Sequence, residues 1–198
     1  MVRLIALGVV AVLLASCAGF ANVTGKRESI GRYSVMASGP WNASKNIEPT
    51  TWTKHGLVID RVQFYSGVDD GDKLFERRGR EDEPVYRSTM DAFAVTEMVK
   101  SGMQTDGFEQ IEINGLAPAD FGGREGFSFQ LTALTQSGLR VNGLVHGTNA
   151  DGKLDMLVFV VEQSRLKTDF ADDDSKQHSP QQMPRCQRHH SSPKNPGD

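Results

Sequence analysis

The chain has 198 residues, 38% of them hydrophobic and 24% charged, with a formal charge of −3. Length and composition suit one globular domain of ordinary size. A mildly acidic chain without a basic stripe lacks the electrostatic footprint of a nucleic-acid binder, and it lacks the polybasic segment that strengthens attachment to anionic lipid.

Met1-Val2-Arg3 supplies a short positive start, and Leu4–Leu14 is an apolar run broken only by Gly8. That run falls well short of the roughly 20 residues that span a bilayer and fits the core of a cleaved signal peptide over residues 1–16. A buried core helix explains it poorly, because a helix apolar all round needs protein on every side. Leu14-Ala15-Ser16-Cys17 resembles the lipobox of bacterial lipoproteins. The resemblance implies that the Cys17 sulfur is diacylated, that cleavage frees its amino group, and that this nitrogen is usually acylated too. Each buried CH₂ contributes about 0.8 kcal/mol and one chain alone holds only marginally, so two or three chains make a lasting anchor. The alternative is an ordinary secretory signal with Cys17 free or in a disulfide. By the same resemblance, Ala18 in place of an aspartate points to the periplasmic leaflet of the outer membrane more than to the inner membrane.

Residues 17–30, with Gly19, Asn22, Thr24 and Gly25, are polar and aperiodic and predict a lipidated tether. A domain over 31–170 follows. Arg32–Ala37 predicts a strand closed by Ser38-Gly39-Pro40, with Trp41 beside the turn. Thr51–Thr53 and Leu57–Tyr65 predict two more, joined by Lys54-His55-Gly56. Asp69–Pro84 carries charges that nearly cancel and reads as a solvated loop. Ser88 or Thr89 then caps a predicted helix running to about Gly102, with Met90, Phe93, Ala94, Val95, Met98 and Val99 on its apolar face. Gly102 or Gly107 ends it.

From Phe108 the hydrophobic period becomes two: Ile111 and Ile113, then Phe127, Phe129 and Leu131. Leu139–His146 and the nearly all-apolar Leu154–Val161 complete a four-strand meander, the last pair turned at Asp151-Gly152. The apolar run marks a central strand. Antiparallel strands beside a segregated helix predict an α+β fold. Beyond Ala171 the chain is Asp, Ser, Gln, His, Pro and Lys with one Met and one Cys, a composition that predicts a disordered tail over 171–198.

The element order, the stretch Leu116-Ala117-Pro118-Ala119-Asp120-Phe121 leading into Gly126–Phe129, and the hairpin over 139–161 resemble the PsbP-like family. That resemblance implies an antiparallel sheet with flanking helices over about Ile30–Phe170, used as a binding module and not as an enzyme. It implies no site residues.

No nucleophile elbow, phosphate loop, H-E-x-x-H or C-x-x-C pair is present. Gly122-Gly123-Arg124-Glu125-Gly126 precedes a strand, so turn glycines explain it better than phosphate capture. Around Asn149-Asp151-Gly152 a calcium loop would need Val158 as its twelfth-position ligand, so a hairpin is the better reading. Asp69, Asp70 and Asp72 beside Lys73, Arg77 and Arg78 predict solvated side chains in preference to a metal site. Cys186 with His189 and His190 offers three donors on a floppy tail, which predicts incidental metal affinity and not a built site, with Cys186 free or bridged to another molecule. His55 and His146 have no nucleophile beside them. Trp41 and Trp52 are expected in the core, with a groove lining as the lesser reading. The expectation is therefore a lipid-anchored envelope protein with Cys17 as the lipidation site, no cofactor, and a non-catalytic domain that binds another envelope component, a protein before anything else. The rivals are a lipid or small-molecule carrier, which requires an apolar cavity between helix and sheet, and a hydrolase with an unrecognised site.

Overall fold

The computed structural model describes residues 20–44, 47–75 and 84–165, together with the strand at 185–188. Eleven strands and one helix occupy them: β1 (Phe20–Thr24), β2 (Arg27–Ile30), β3 (Tyr33–Met36), β4 (Pro40–Ser44), β5 (Thr50–Thr53), β6 (Asp60–Val68), α1 (Ala92–Thr105), β7 (Glu109–Asp120), β8 (Glu125–Leu134), β9 (Arg140–Ala150), β10 (Lys153–Glu162) and β11 (Arg185–Arg188). Eight strands form one sheet in the order β1-β4-β5-β6-β10-β9-β8-β7, and β11-β3-β2 form a second. Every pairing is antiparallel.

The expected α+β, PsbP-like arrangement with flanking helices is therefore corrected. Apart from α1, the helical content of the described residues is a single turn at 163–165, so the fold is a mostly antiparallel β structure. Where flanking helices were expected, a small sheet covers the second face. The reason lies in the stretch read as a tether. Residues 20–30 form β1 and β2, and two of the few apolar residues there are buried: Val23 and Ile30 join Val35, Trp41, Trp52, Val62 and Phe64 in one core. Within the stretch read as a disordered tail, Arg185–Arg188 pairs with Tyr33–Met36.

The meander is as its alternation requires. In β8, Phe127, Phe129, Leu131 and Ala133 point to the core under α1, as do Leu154, Met156, Val158 and Val160 of β10. On the opposite face of β10, Leu157 lies in the second core and Phe159 packs against it half-buried. A strand covered on both faces is apolar throughout, which is why Leu154–Val161 reads as central. It pairs with β6 on one side and β9 on the other. The β9–β10 turn holds Asp151 at φ 59° and Gly152 at φ 73°, the two left-handed residues of a tight hairpin.

The helix begins later than predicted. Asp70 takes the Ser88 backbone N–H at 2.9 Å, and Asp91 becomes the cap, accepting from Ala94 N at 2.8 Å. Val95, Met98, Val99 and Met103 face the sheet, whereas Phe93 is 64% exposed. Gly102 is buried mid-helix, where a Cβ would meet the Phe75 ring at 2.0 Å. Gly107, at φ 92°, follows the end of the helix.

Candidate functional site

The helix packs over β7 and β8 and leaves the β5–β6 part of the same face open. Here a groove of about 400 Å³ runs between β6, the turn at Glu48-Pro49 and the segment Lys73–Phe75. Its lining mixes charge and apolar surface: Glu48, Lys73 and Asp106 beside Gln63, Tyr65 and Phe75. Tyr65 and Phe75 meet at 6.0 Å between ring centroids. The Tyr65 hydroxyl is buried and makes no hydrogen bond. Burial pushes this phenol far above its ordinary range, Arg61 opposes the shift and Asp106 adds to it. It therefore stays protonated, a donor with nothing to donate to, and such groups are costly unless an acceptor arrives. Both signs of charge around a buried donor suit a polar chain better than a lipid tail.

A second cluster surrounds Asp60, at the opposite end of β5. Its Oδ1 accepts from Thr53 Oγ1 at 2.7 Å, Lys54 N at 2.7 Å and His55 N at 3.2 Å, and Oδ2 lies 2.5 Å from His55 Nδ1. Burial pushes the carboxyl up, but the hydrogen bonds from Thr53, Lys54 and His55 outweigh it and hold Asp60 below its usual range. The pair has the outline of a carboxylate-oriented histidine base. Yet every bond to Asp60 comes from the turn it closes, and no described hydrogen bond reaches His55 Nε2. The arrangement accounts for the turn between β5 and β6.

A third cluster joins the two sheets. Asp155, buried on β10, accepts from Gly67 N at 2.7 Å and Ser66 Oγ at 3.2 Å. Arg32 reaches Asp151 at 2.9 Å and Asp155 at 3.5 Å, and Arg124 reaches the same two carboxylates at 3.5 and 3.8 Å. Two cations and two anions cancel, so no field is left to attract a charged ligand. His146 packs edge-on against Phe121 at 5.6 Å, with its Nε2 buried and unpaired. Burial lowers its pKa; Asp120, through its charge and a backbone hydrogen bond, opposes this without cancelling it.

Cys17 lies outside the described residues, as do His189 and His190. The three aspartates weighed as metal ligands are each engaged: Asp69 with Lys153, Asp70 with Arg87 and Ser88, and Asp72 with the Asp69 backbone. Among the described residues no three His, Cys, Asp or Glu side chains converge as metal ligands. Arg124 sits in the β7–β8 hairpin, as the turn reading of its glycines expects. Asn149 accepts from Tyr86 Oη at 2.8 Å and donates to Met90 O at 2.8 Å, which fixes the approach to α1. Trp41 and Trp52 are both buried, 6.5 Å apart. Sequence reasoning missed the groove, since Gln63 and Tyr65 on β6, Lys73 in the connection after it and Asp106 at the end of α1 are far apart in the chain, and only the uncovered sheet face unites them. No family model matches the chain, and no curated protein matches it.

Proposed function

We propose that the chain is a bacterial envelope lipoprotein, acylated at Cys17, whose folded part is a non-catalytic module that docks a segment of another envelope protein. The lipobox Leu14-Ala15-Ser16-Cys17 carries the reading, and Ala18 directs it to the periplasmic leaflet of the outer membrane. The groove supports the second half. It is open and lined by both charges beside the Tyr65 and Phe75 rings, which suits a polypeptide with its mixed side chains. A lipid carrier needs a closed apolar cavity between α1 and the sheet. That space is occupied by Val95, Met98, Val99 and Met103 packed on Phe129, Leu131, Val145 and Met156, which favours docking over carriage.

The test is made in cells. Cys17→Ser removes the thiolate that the acylation chemistry needs, so the chain should stay as precursor or become soluble, without incorporating labelled fatty acid. A photo-crosslinking residue at Gln63 should capture a discrete envelope protein, and one at Phe93 should not. A Cys17→Ser chain that still takes up fatty acid and fractionates with membranes at mature size overturns the anchor. Equal capture at both positions overturns the docking groove.

A further inference from the structure

Seven large apolar side chains are exposed among the described residues: Phe20, Met36, Ile47, Val58, Phe93, Leu116 and Leu139. Scattered singly they would need no explanation. Two of them, however, belong to residues that share Ser44 as a neighbour. Phe20, 43% exposed, is paired across the β1–β4 ladder with Ser44. Ile47, 40% exposed, donates its backbone N–H to the Ser44 hydroxyl at 2.9 Å. An aromatic and a branched aliphatic side chain thus flank the same residue at the end of the sheet where the amino terminus enters.

That end is tied to Cys17 by Ala18 and Gly19 alone. Three steps of fully extended chain reach at most about 11 Å. The headgroup layer of one leaflet is roughly 5–8 Å thick, from the difference between the hydrocarbon core and the whole bilayer. With its acyl chains in the hydrocarbon, Cys17 therefore cannot hold Phe20 far above the headgroups. Phe20–Thr24 and Arg27–Ile30, in the stretch expected to be a tether, are strand.

We propose that the Phe20–Ile47 end of the large sheet docks on the bilayer surface, with both side chains in the headgroup–acyl boundary and β1 running away from it. The inference rests on the Cys17 anchor proposed above and adds an orientation to it. Apolar and aromatic side chains at this depth gain by leaving water, and the anchor has already brought them there. Past Phe20, β1 alternates exposed Asn22 and Thr24 with buried Val23, so the apolar contact ends where the strand leaves the boundary.

The experiment uses the full lipidated protein in phosphatidylethanolamine–phosphatidylglycerol vesicles, with and without a phosphatidylcholine brominated on its acyl chains. Phe20→Trp and Ile47→Trp are compared with Phe93→Trp, which is on the exposed face of α1. Trp41 and Trp52 are buried and give a constant background. The expected result is a blue-shifted emission from the first two that brominated lipid quenches severalfold more than it quenches Phe93→Trp. Intact mass is read on the same samples. Acylated protein whose added tryptophans are all equally unquenched overturns the docking and leaves the anchor standing. Absence of acyl mass on Cys17 overturns both. A blue shift that brominated lipid leaves unquenched means that a second protein copy covers the patch, and also overturns the docking.

Discussion

The meander β7–β10 shares its sheet with β1, β4 and β5, while β2 and β3 belong to the small sheet, and the meander and these amino-terminal strands are built on different chemistry. The meander strands are 10 to 12 residues long; β8, β9 and β10 each contribute two or more buried side chains to the core under α1, and the outer strand β7 adds Ile111. The amino-terminal strands have four or five residues and bury one to three each, with Trp41 and Trp52 supplying most of the volume. Between them, polar groups do the joining: Asp60 closes the β5–β6 turn, and Asp155 with Arg32 holds the small sheet to β10. Long regular strands are stabilised by repetition, and short ones by single large residues and buried hydrogen bonds.

The largest expected effects test whether the two regions unfold together. Phe129→Ala in the meander and Trp52→Ala in the amino-terminal set both empty fully packed positions, and each should cost about 3–5 kcal/mol in urea melts. Phe159→Ala should cost clearly less, because that side chain is only half-buried although its strand is central. If both large losses appear in one transition seen alike by fluorescence and circular dichroism, the sheet is one cooperative unit. If Trp52→Ala leaves a second transition with the stability of the parent, the amino-terminal strands fold apart from the meander.

Smaller effects probe the polar joints. Asp60→Asn weakens a carboxylate that accepts three hydrogen bonds and faces His55, and should cost about 1–3 kcal/mol. Because the folded state holds Asp60 below its usual range, its contribution is present above about pH 4 and is lost as acid protonates the folded carboxylate. The Asn variant should therefore lose stability less steeply below that point. His146 adds a second limb of the same sign. Burial depresses its pKa in the fold, so the unfolded chain binds the proton first and stability falls as the pH drops below about 6.5. His146→Gln should flatten the slope between neutral and mildly acid pH, measured as melting temperature across a buffer series. An unchanged slope would place that proton elsewhere.

These differences explain what could be read in the sequence. The meander was legible because Phe127, Phe129, Leu131 and the run Leu154–Val161 repeat a period over many residues, and Asp151-Gly152 marks its last turn. β1, β2 and β4 were not, because Val23, Ile30 and Trp41 are isolated among polar neighbours and gain their burial only from partners in other strands. A single apolar residue has no period. The same isolation hid the small sheet, and the flanking helices expected in its place came from the PsbP-like resemblance alone. The candidate groove depended on where α1 stops covering β6, a matter of packing and not of local pattern.

The smallest expected effect concerns that helix. Helical spacing groups Phe93 with Val95, Met98 and Val99, yet the sheet receives Val95, Met98, Val99 and Met103. Phe93 lies about 200° around the helix from Val95, so packing Val95, Met98, Val99 and Met103 on the sheet turns Phe93 to water. Phe93→Ser should then change stability by no more than about 0.5 kcal/mol, as at other exposed sites. Met98→Ala, on the buried face, should cost about 2–5 kcal/mol. Read by the same denaturant melts, the ratio of the two losses fixes which face of α1 meets the sheet. Similar losses would mean that Phe93 packs inward and that the groove beside the helix end is bounded differently.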